Sequence, residues 1–274
     1  MKFATRTSPH AALPNTVTWQ MAQVLIALIP GIIALAWYFG YGVLINITIA
    51  ACTAVLGEAL VLKLRGREIR ATLADLSAIV TAVLLGMALP PLLPWWMTVS
   101  ATLFAIIFVK HMYGGLGYNP FNPAMAGYVL LLVSFPLSMT QWLAPSMLNE
   151  HPLAFGETLR VIFTSELPAG LDWDAVTSAT PLDEMRNQLN QNKMISEIQA
   201  SPLWGDYGAR GWGWVATWLL LGGLFLLWGR VITWHIPISM LAGRLVISGL
   251  CWRFDQETIP FRAFLRFSGG LWLG

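Results

Sequence analysis

Long unbroken apolar runs are the feature that most restricts the fold of this 274-residue chain. Hydrophobic residues make up 56% of the sequence. Charged residues make up only 11%, against about 25% in an ordinary soluble domain. The runs are too long and too continuous for the roughly ten-residue alternation of a membrane β-barrel strand. The sequence therefore predicts an all-α, polytopic helical membrane protein.

The apolar runs also predict how many times the chain crosses the membrane. Predicted spans cover about residues 20–40, 43–62, 73–89, 97–112, 124–139, 212–227 and 236–252. Residues 263–274 begin a further span, which would give roughly 18 Å of helix against a hydrocarbon core of about 30 Å. We therefore expect about seven to eight spans in this chain, and at least one more beyond its C-terminus.

Basic residues predict the orientation of these spans. The densest basic stretch, 63–70, follows the second span, and such stretches lie on the cytoplasmic side. Counting crossings from it places the polar N-terminal arm in the cytoplasm. Three regions result. They are the arm with five spans (1–139), an extracytoplasmic insert (140–211), and two spans with the start of another (212–274).

Charged residues inside the predicted spans are candidates for an ion path. Glu58 lies about five residues from the cytoplasmic end of the second span, where a carboxylate is costly and indicates ion or proton handling. The structural alternative is pairing with Lys63 or Arg65 near the interface. Arg244, within the seventh span, could pair with Glu58, bind an anionic cofactor group or face a partner protein.

A glycine- and proline-rich loop, residues 113–123, separates the fourth and fifth spans. Three Gly and two Pro residues there exclude a regular helix. Asn119 and Asn122 each precede a proline, which favours extended or turn backbone. Irregular backbone at membrane depth must line a cavity or be buried in protein, so we predict a shaped cytoplasmic-side loop. His111 and His235, at span ends, are interpreted as interfacial residues rather than as ligands.

The insert contains a short Ser/Thr cluster, Thr177-Ser178-Ala179-Thr180, directly before Pro181. In the structural interpretation, Ser178 or Thr180 is a helix N-cap and Pro181 the first helical residue. The acidic residues that follow would favour the positive end of that helix. In the functional interpretation, a hydroxyl of this cluster carries a covalently attached group. Local sequence leaves both interpretations open.

The two cysteines, Cys52 and Cys251, lack a Cys-x-x-Cys spacing and a nearby histidine. They are interpreted as small apolar core residues, so this chain is not expected to supply an iron–sulfur cluster. The net charge of +2 gives no indication of nucleic-acid binding.

Several stretches, in order along the chain, resemble a known family. They are Ser8-Pro9-His10, Pro120-Phe121-Asn122-Pro123-Ala124-Met125, Gly127-Tyr128, Ala179-Thr180-Pro181-Leu182, Ile232-Thr233-Trp234-His235-Ile236-Pro237 and Ser268-Gly269-Gly270. Together they resemble the D-type member (RnfD) of the Rnf ion-translocating electron-transport complex. They are also similar to the B-type member of the sodium-pumping NADH:quinone reductase. The resemblance covers nearly the whole chain, and the short N-terminal arm favours the Rnf member.

The resemblance implies a covalent flavin. Thr180 would carry FMN through a phosphoester to its hydroxyl on the extracytoplasmic side, with Thr177 as the fallback attachment residue. A separate flavin transferase would install the group from FAD. The resemblance also implies a second, non-covalent flavin (riboflavin) in the membrane part, with Asn119, Asn122 and Arg244 as candidate contacts.

The resemblance further implies a translocase-type oxidoreductase component of the bacterial inner (plasma) membrane. Electrons would pass between ferredoxin and NAD through partner subunits of the A, B, C, E and G types. Their passage would drive Na⁺ or H⁺ across the membrane, with Glu58 and Asp75 as candidates on the ion path. Membrane lipid is an expected partner and nucleic acid is not. The residues alone leave two other classes open. One is a secondary transporter without redox chemistry, and the other is a structural anchor for other subunits.

Overall fold

The computed structural model describes residues 16–149, 151–194, 197–198, 200–205 and 208–254, without the side chains of residues 244 and 248–254. Its helices are α1 (Val17–Phe39), α2 (Gly42–Leu64), α3 (Ile69–Leu73), α4 (Ser77–Ala88), α5 (Trp95–Leu103), α6 (Pro123–Ser134), α7 (Pro136–Thr140), α8 (Phe155–Thr164), α9 (Trp173–Val176), α10 (Pro181–Asn190), α11 (Trp212–Trp228) and α12 (His235–Phe254). Helix α5 continues directly into a π-helical segment, Phe104–His111.

Two short antiparallel strand pairs lie in the insert. Strand β1 (Trp142–Leu143) pairs with β2 (Thr177–Ser178), and β3 (Trp204–Gly205) pairs with β4 (Gly208–Ala209). The all-α prediction therefore holds for the apolar helices, whereas the insert also uses strands. The first pair brings the start of the insert against its Ser/Thr cluster.

The seven predicted spans between residues 20 and 252 each overlap one or more helices, and the predicted fifth span, 124–139, is divided between α6 and α7 at Phe135. The predicted start of a further span, 263–274, lies outside the described residues. In the described part of the chain, α1 and α2 are long and apolar enough to cross a membrane. The other apolar helices are shorter: α4 and α6 have 12 residues each, and α11 has 17. The predicted third span, 73–89, is interrupted. Helix α3 ends at Leu73 and α4 begins only at Ser77, because Leu76 adopts a φ of 62° between them.

The ends of α1 follow from local sequence. Thr16 caps its start by accepting a hydrogen bond from the Trp19 N–H at 3.2 Å. Gly40 ends it with a φ of 81°, a conformation that glycine adopts without the steric cost of a Cβ atom. This glycine permits the tight reversal by which α2 begins only two residues later.

Small side chains let the apolar helices approach closely. Helix α11 packs along α1 at Gly222, where an added Cβ would lie 2.0 Å from the carbonyl oxygen of Ala27. Helices α2 and α4 meet along a seam of buried alanines, and Ile106 of the π-helical segment joins it. The alanines of this seam are Ala50, Ala54, Ala78 and Ala82.

The described contacts place two sets of connections at opposite ends of the helices. At one end the Ser146 N–H donates to the carbonyl of Tyr38 at 2.7 Å, which ties the insert to the end of α1. At the other end, Arg67, which follows α2, donates to the carbonyl of Gly114 at 3.3 Å. The basic stretch and the glycine-rich loop therefore share one end, as the sequence predicts, and the insert lies at the other.

The loop between the π-helical segment and α6 is irregular, as predicted. Gly114, Gly115 and Gly117 have φ values of 118°, 109° and 86°. The cysteine prediction is wrong at Cys52, which is exposed on α2. Its neighbours in the alanine seam lie two residues away on either side, so Cys52 points from the opposite face of the helix. The side chain of Cys251 lies outside the described residues.

Candidate functional site

Glu58 lies at the centre of a buried charged cluster. Its side chain is fully buried within α2. The ammonium Nζ of Lys110 lies 2.5 Å from Glu58 Oε1. Lys110 is itself only 2% exposed, and it also donates to the hydroxyl of Ser77 at 2.7 Å. Two long side chains of opposite charge are thus paired away from solvent, with a hydroxyl as an additional acceptor.

His111 and Asp75 extend this cluster in two directions. His111 Nε2 lies 3.1 Å from the same Glu58 oxygen, Oε1. On the other side, the backbone N–H and the hydroxyl of Ser77 both donate to Asp75 Oδ1, at 2.7 and 2.5 Å. The result is a continuous chain of contacts from His111 through Glu58, Lys110 and Ser77 to Asp75. We call these five residues the Glu58 cluster.

The π-helical segment explains how two consecutive residues reach one carboxylate. Lys110 and His111 are its last two residues, and the Met112 N–H bonds to the carbonyl of Ile107, five residues earlier. The wider winding of a π-helix reduces the angle between successive side chains, so that both can face α2. Insertions of this kind are frequent at functional sites.

Two buried atoms of the cluster have no hydrogen-bond partner among the described residues. They are Glu58 Oε2 and His111 Nδ1. Buried polar atoms are normally paired, because an unpaired one costs about 1–3 kcal/mol. The Glu58 cluster therefore retains hydrogen-bonding capacity inside the protein, at a carboxylate oxygen that accepts and at a histidine nitrogen whose role depends on the tautomer. The partly exposed Asp75 lies at its outer edge.

The structural alternative for Glu58, pairing with Lys63 or Arg65, is wrong. Lys63 and Arg65 are both exposed and do not contact it. Residues five and seven positions along do not take the i+3 or i+4 positions that face one another on a helix, and an exposed lysine at the helix end can remain in solvent. His111, predicted to be interfacial, is only 2% exposed. The interaction with Lys110 joins residues 52 positions apart, so no local pattern could reveal it.

Thr180 takes the structural role that one of its two interpretations predicts. It is the N-cap of α10, and Pro181 is the first helical residue. Its Oγ1 accepts a hydrogen bond from the Asp183 N–H at 3.3 Å and donates to Asp183 Oδ2 at 2.7 Å. The side chain is half-buried. Capping and attachment of a group are compatible, because an ether or ester oxygen can still accept the N–H bond.

The chemistry of this position fits a phosphoester. An alcohol oxygen lies at the start of a ten-residue helix, and the positive end of the helix dipole favours a phosphate. Thr180 is the residue that would hold the group. Thr177, the fallback, lies in β2 and donates its hydroxyl to the carbonyl of Trp173 at 2.8 Å. Both hydroxyls are partly accessible. Thr177 donates to a backbone carbonyl, whereas Thr180 donates to a carboxylate.

The candidate contacts of a second flavin have local roles. Asn119 donates from Nδ2 to the carbonyl of Phe121 at 2.7 Å. Asn122 is the N-cap of α6 and accepts from the Ala124 N–H at 3.0 Å. Both side chains therefore help to shape the glycine-rich loop. Arg244 lies in α12, but its side chain lies outside the described residues, so its three predicted roles remain predictions.

Comparison with known proteins covers almost the whole chain. The model of the NQR2, RnfD, RnfE family matches residues 4–274. A protein of Alcanivorax borkumensis, named as the D-type subunit of an ion-translocating oxidoreductase complex, is 48% identical over 277 aligned positions, which cover 100% of this chain and 78% of that relative. Proteins with the same name from Aeromonas hydrophila and Shigella dysenteriae are 44% and 42% identical, and 80% of each is covered. The chain belongs to the NQR2, RnfD, RnfE family.

Proposed function

We propose that this chain is the D-type membrane subunit of an Rnf ion-translocating oxidoreductase complex and carries FMN on Thr180. The observation that carries the proposal is a half-buried threonine hydroxyl at the start of α10, in a chain that belongs to this family. The name that the relatives share supports the proposal that this chain is a subunit of such a complex. The phosphoester would join the flavin to Thr180 Oγ1.

The protein's contribution is to hold and position this group. Bound FMN supplies electron transfer in single steps, and the chain fixes the flavin's distance from its neighbours and its electrostatic surroundings. The β1–β2 pairing and α10 hold the two ends of the segment 177–181, so the attachment residue lies between fixed elements. A covalent bond prevents loss of the group from an extracytoplasmic insert.

The proposed partners follow from the complex. Other Rnf subunits, of the A, B, C, E and G types, would carry electrons between ferredoxin and NAD, and a flavin transferase would install FMN from FAD. The complex would lie in the bacterial inner membrane, with the insert outside and the N-terminus in the cytoplasm. A non-covalent riboflavin at the glycine-rich loop remains part of the proposal.

Coupling to ion movement would involve the Glu58 cluster. Glu58 and Asp75, the two ion-path candidates, belong to one connected set of contacts through Lys110 and Ser77. The unpartnered Glu58 Oε2 supplies an oxygen that can accept Na⁺ or a proton. The path would run between the buried carboxylate and the partly exposed Asp75.

The direct test examines the purified, denatured chain. We expect flavin fluorescence on a denaturing gel, and an FMN mass on the peptide that contains Thr180. Thr180→Val should abolish both signals and greatly reduce turnover of the complex. Thr177→Val, which removes a neighbouring hydroxyl, is the matched control and should keep them.

An unmodified Thr180 peptide, from cells that make the flavin transferase, would remove the flavin proposal. A non-redox transporter, with substrate binding near mid-membrane, or a structural anchor would then be the leading interpretation. Thr177 lies on the same peptide, so fragment ions that place the FMN mass on Thr177 would instead move the attachment residue.

A further inference from the structure

Resting on the proposed flavin attachment, we infer that Asp183 is the general base that removes the Thr180 proton when the phosphoester forms. The hydroxyl of Thr180 already points at this carboxylate, with a donor–acceptor distance of 2.7 Å. This is within the range that a general base needs for direct proton transfer. The first turn of α10 therefore holds both Thr180, which caps the helix, and Asp183, which would activate the Thr180 hydroxyl.

The geometry also leaves Thr180 Oγ1 a free lone pair. A hydroxyl has one proton and two lone pairs. The proton is directed to Asp183 Oδ2, and the Asp183 N–H occupies one lone pair at 3.3 Å. The second lone pair can attack a phosphorus atom without disturbing either bond. Asp183 thus orients the nucleophile through its backbone and accepts the proton through its side chain.

The neighbouring hydroxyl lacks such a base. Thr177 donates to the backbone carbonyl of Trp173 at 2.8 Å. A carbonyl accepts a hydrogen bond but does not take up the proton at neutral pH, so attack by Thr177 would need a base from the transferase. This difference gives a chemical reason for attachment to Thr180 rather than to Thr177, which lies only three residues earlier.

The step balances with FAD as the co-substrate, bound and supplied by the flavin transferase. A bond forms between Thr180 Oγ1 and the phosphorus that bears the riboflavin moiety. The bond from that phosphorus to the bridging oxygen of the diphosphate breaks, and AMP leaves with that oxygen. The hydroxyl proton passes to Asp183 and then to solvent. Nothing is oxidised or reduced.

Two other titratable side chains are relevant to a test. Glu184 is the next acidic residue in the first turn of α10, but it accepts a hydrogen bond from Gln188 rather than from Thr180. Tyr128 of α6 interacts electrostatically with Asp183. Glu184→Gln therefore removes the same charge from the same helix turn without changing the Thr180 contact, and Tyr128→Phe controls for the phenol.

The experiment follows FMN transfer to the flavin-free 274-residue chain. The chain is purified from cells without the transferase, then mixed with FAD and purified flavin transferase. Mass spectrometry of the Thr180 peptide measures the rate. At pH 7, Asp183→Asn should slow transfer by about 100- to 10,000-fold, the usual contribution of a general base. The Glu184→Gln and Tyr128→Phe variants should accept FMN at nearly the rate of the protein without substitutions.

A pH series separates proton removal from a structural effect. The deficit of Asp183→Asn should shrink as pH rises from 6.5 to 9, because hydroxide replaces the missing base. A deficit that is constant with pH, or no deficit, overturns the role of Asp183 and leaves attachment at Thr180 intact. Absence of an FMN mass on the unsubstituted protein overturns the proposed function itself, so the two failures are distinguishable.

Discussion

At the scale of single residues, Glu58 shows that a buried charge depends on partners far away in sequence. Lys110 and His111 lie 52 and 53 positions from it. Removing water from two charges is costly, and their attraction repays this only while both are present. The Glu58–Lys110 pair is therefore expected to be intolerant of single changes and more tolerant of a paired neutral replacement.

Replacing Lys110 tests this interdependence. Lys110→Met removes the ammonium partner of the buried Glu58 and leaves it only the His111 contact, and we expect a loss of about 3–5 kcal/mol of stability. The double variant Lys110→Met with Glu58→Gln should recover part of that loss. Thermal unfolding of the detergent-solubilised protein measures the stability of the two single variants, Lys110→Met and Glu58→Gln, and of the double variant. Lys63→Met is the control, because Lys63 is exposed and its removal should stay within about 0.5 kcal/mol. Strictly additive effects of the two cluster changes would contradict the pairing.

At the scale of elements, close helix packing depends on where each glycine lies. Gly222 and Gly223 are consecutive in α11, yet their surroundings differ completely. A Cβ on Gly222 would lie 2.0 Å from the carbonyl oxygen of Ala27, whereas a Cβ on Gly223 would have no atom within 4 Å. The sequence alone does not distinguish the two glycines. Only the packing of α1 on α11 shows that one is in close contact and the other is not.

These two glycines give a matched pair of variants. Gly222→Ala must push α11 away from α1, since the clash is with backbone, and overpacking of this kind costs about 1–3 kcal/mol. Gly223→Ala adds a methyl group to open space and should be neutral. Melting temperatures of the two purified variants in detergent make the comparison. Equal melting temperatures would show that α1 and α11 do not pack at this point.

At the scale of the whole molecule, the sequence predicts the elements better than their contacts. Apolar runs locate the long helices, because burial in lipid or protein requires such runs, and Pro181 marks the start of α10. The break at Leu76 is missed because an isolated left-handed residue leaves no apolar signal. The pairing of Glu58 with Lys110 is missed because it depends on which helix ends meet, which a single sequence does not record.

The two opposite ends of the helices allow a test of how the whole chain is oriented. Arg67 contacts the glycine-rich loop at one end of the helices, and Ser146 ties the insert to the other. If the helices cross a membrane, these two ends face different compartments, and the basic stretch should face the cytoplasm. Labelling of single cysteines can therefore read the orientation directly.

For this test, Cys52 and Cys251 are first replaced by alanine, and one exposed residue at each end is then changed to cysteine. A membrane-impermeant maleimide should label Arg186→Cys, in the insert, from the outside of intact spheroplasts. Glu68→Cys, in the basic stretch, should be labelled only in inverted vesicles or after detergent. Because the two ends are joined by an odd number of crossings in this arrangement, labelling of both positions from the same side would contradict it. Reversed labelling would keep the two ends apart but place the insert in the cytoplasm.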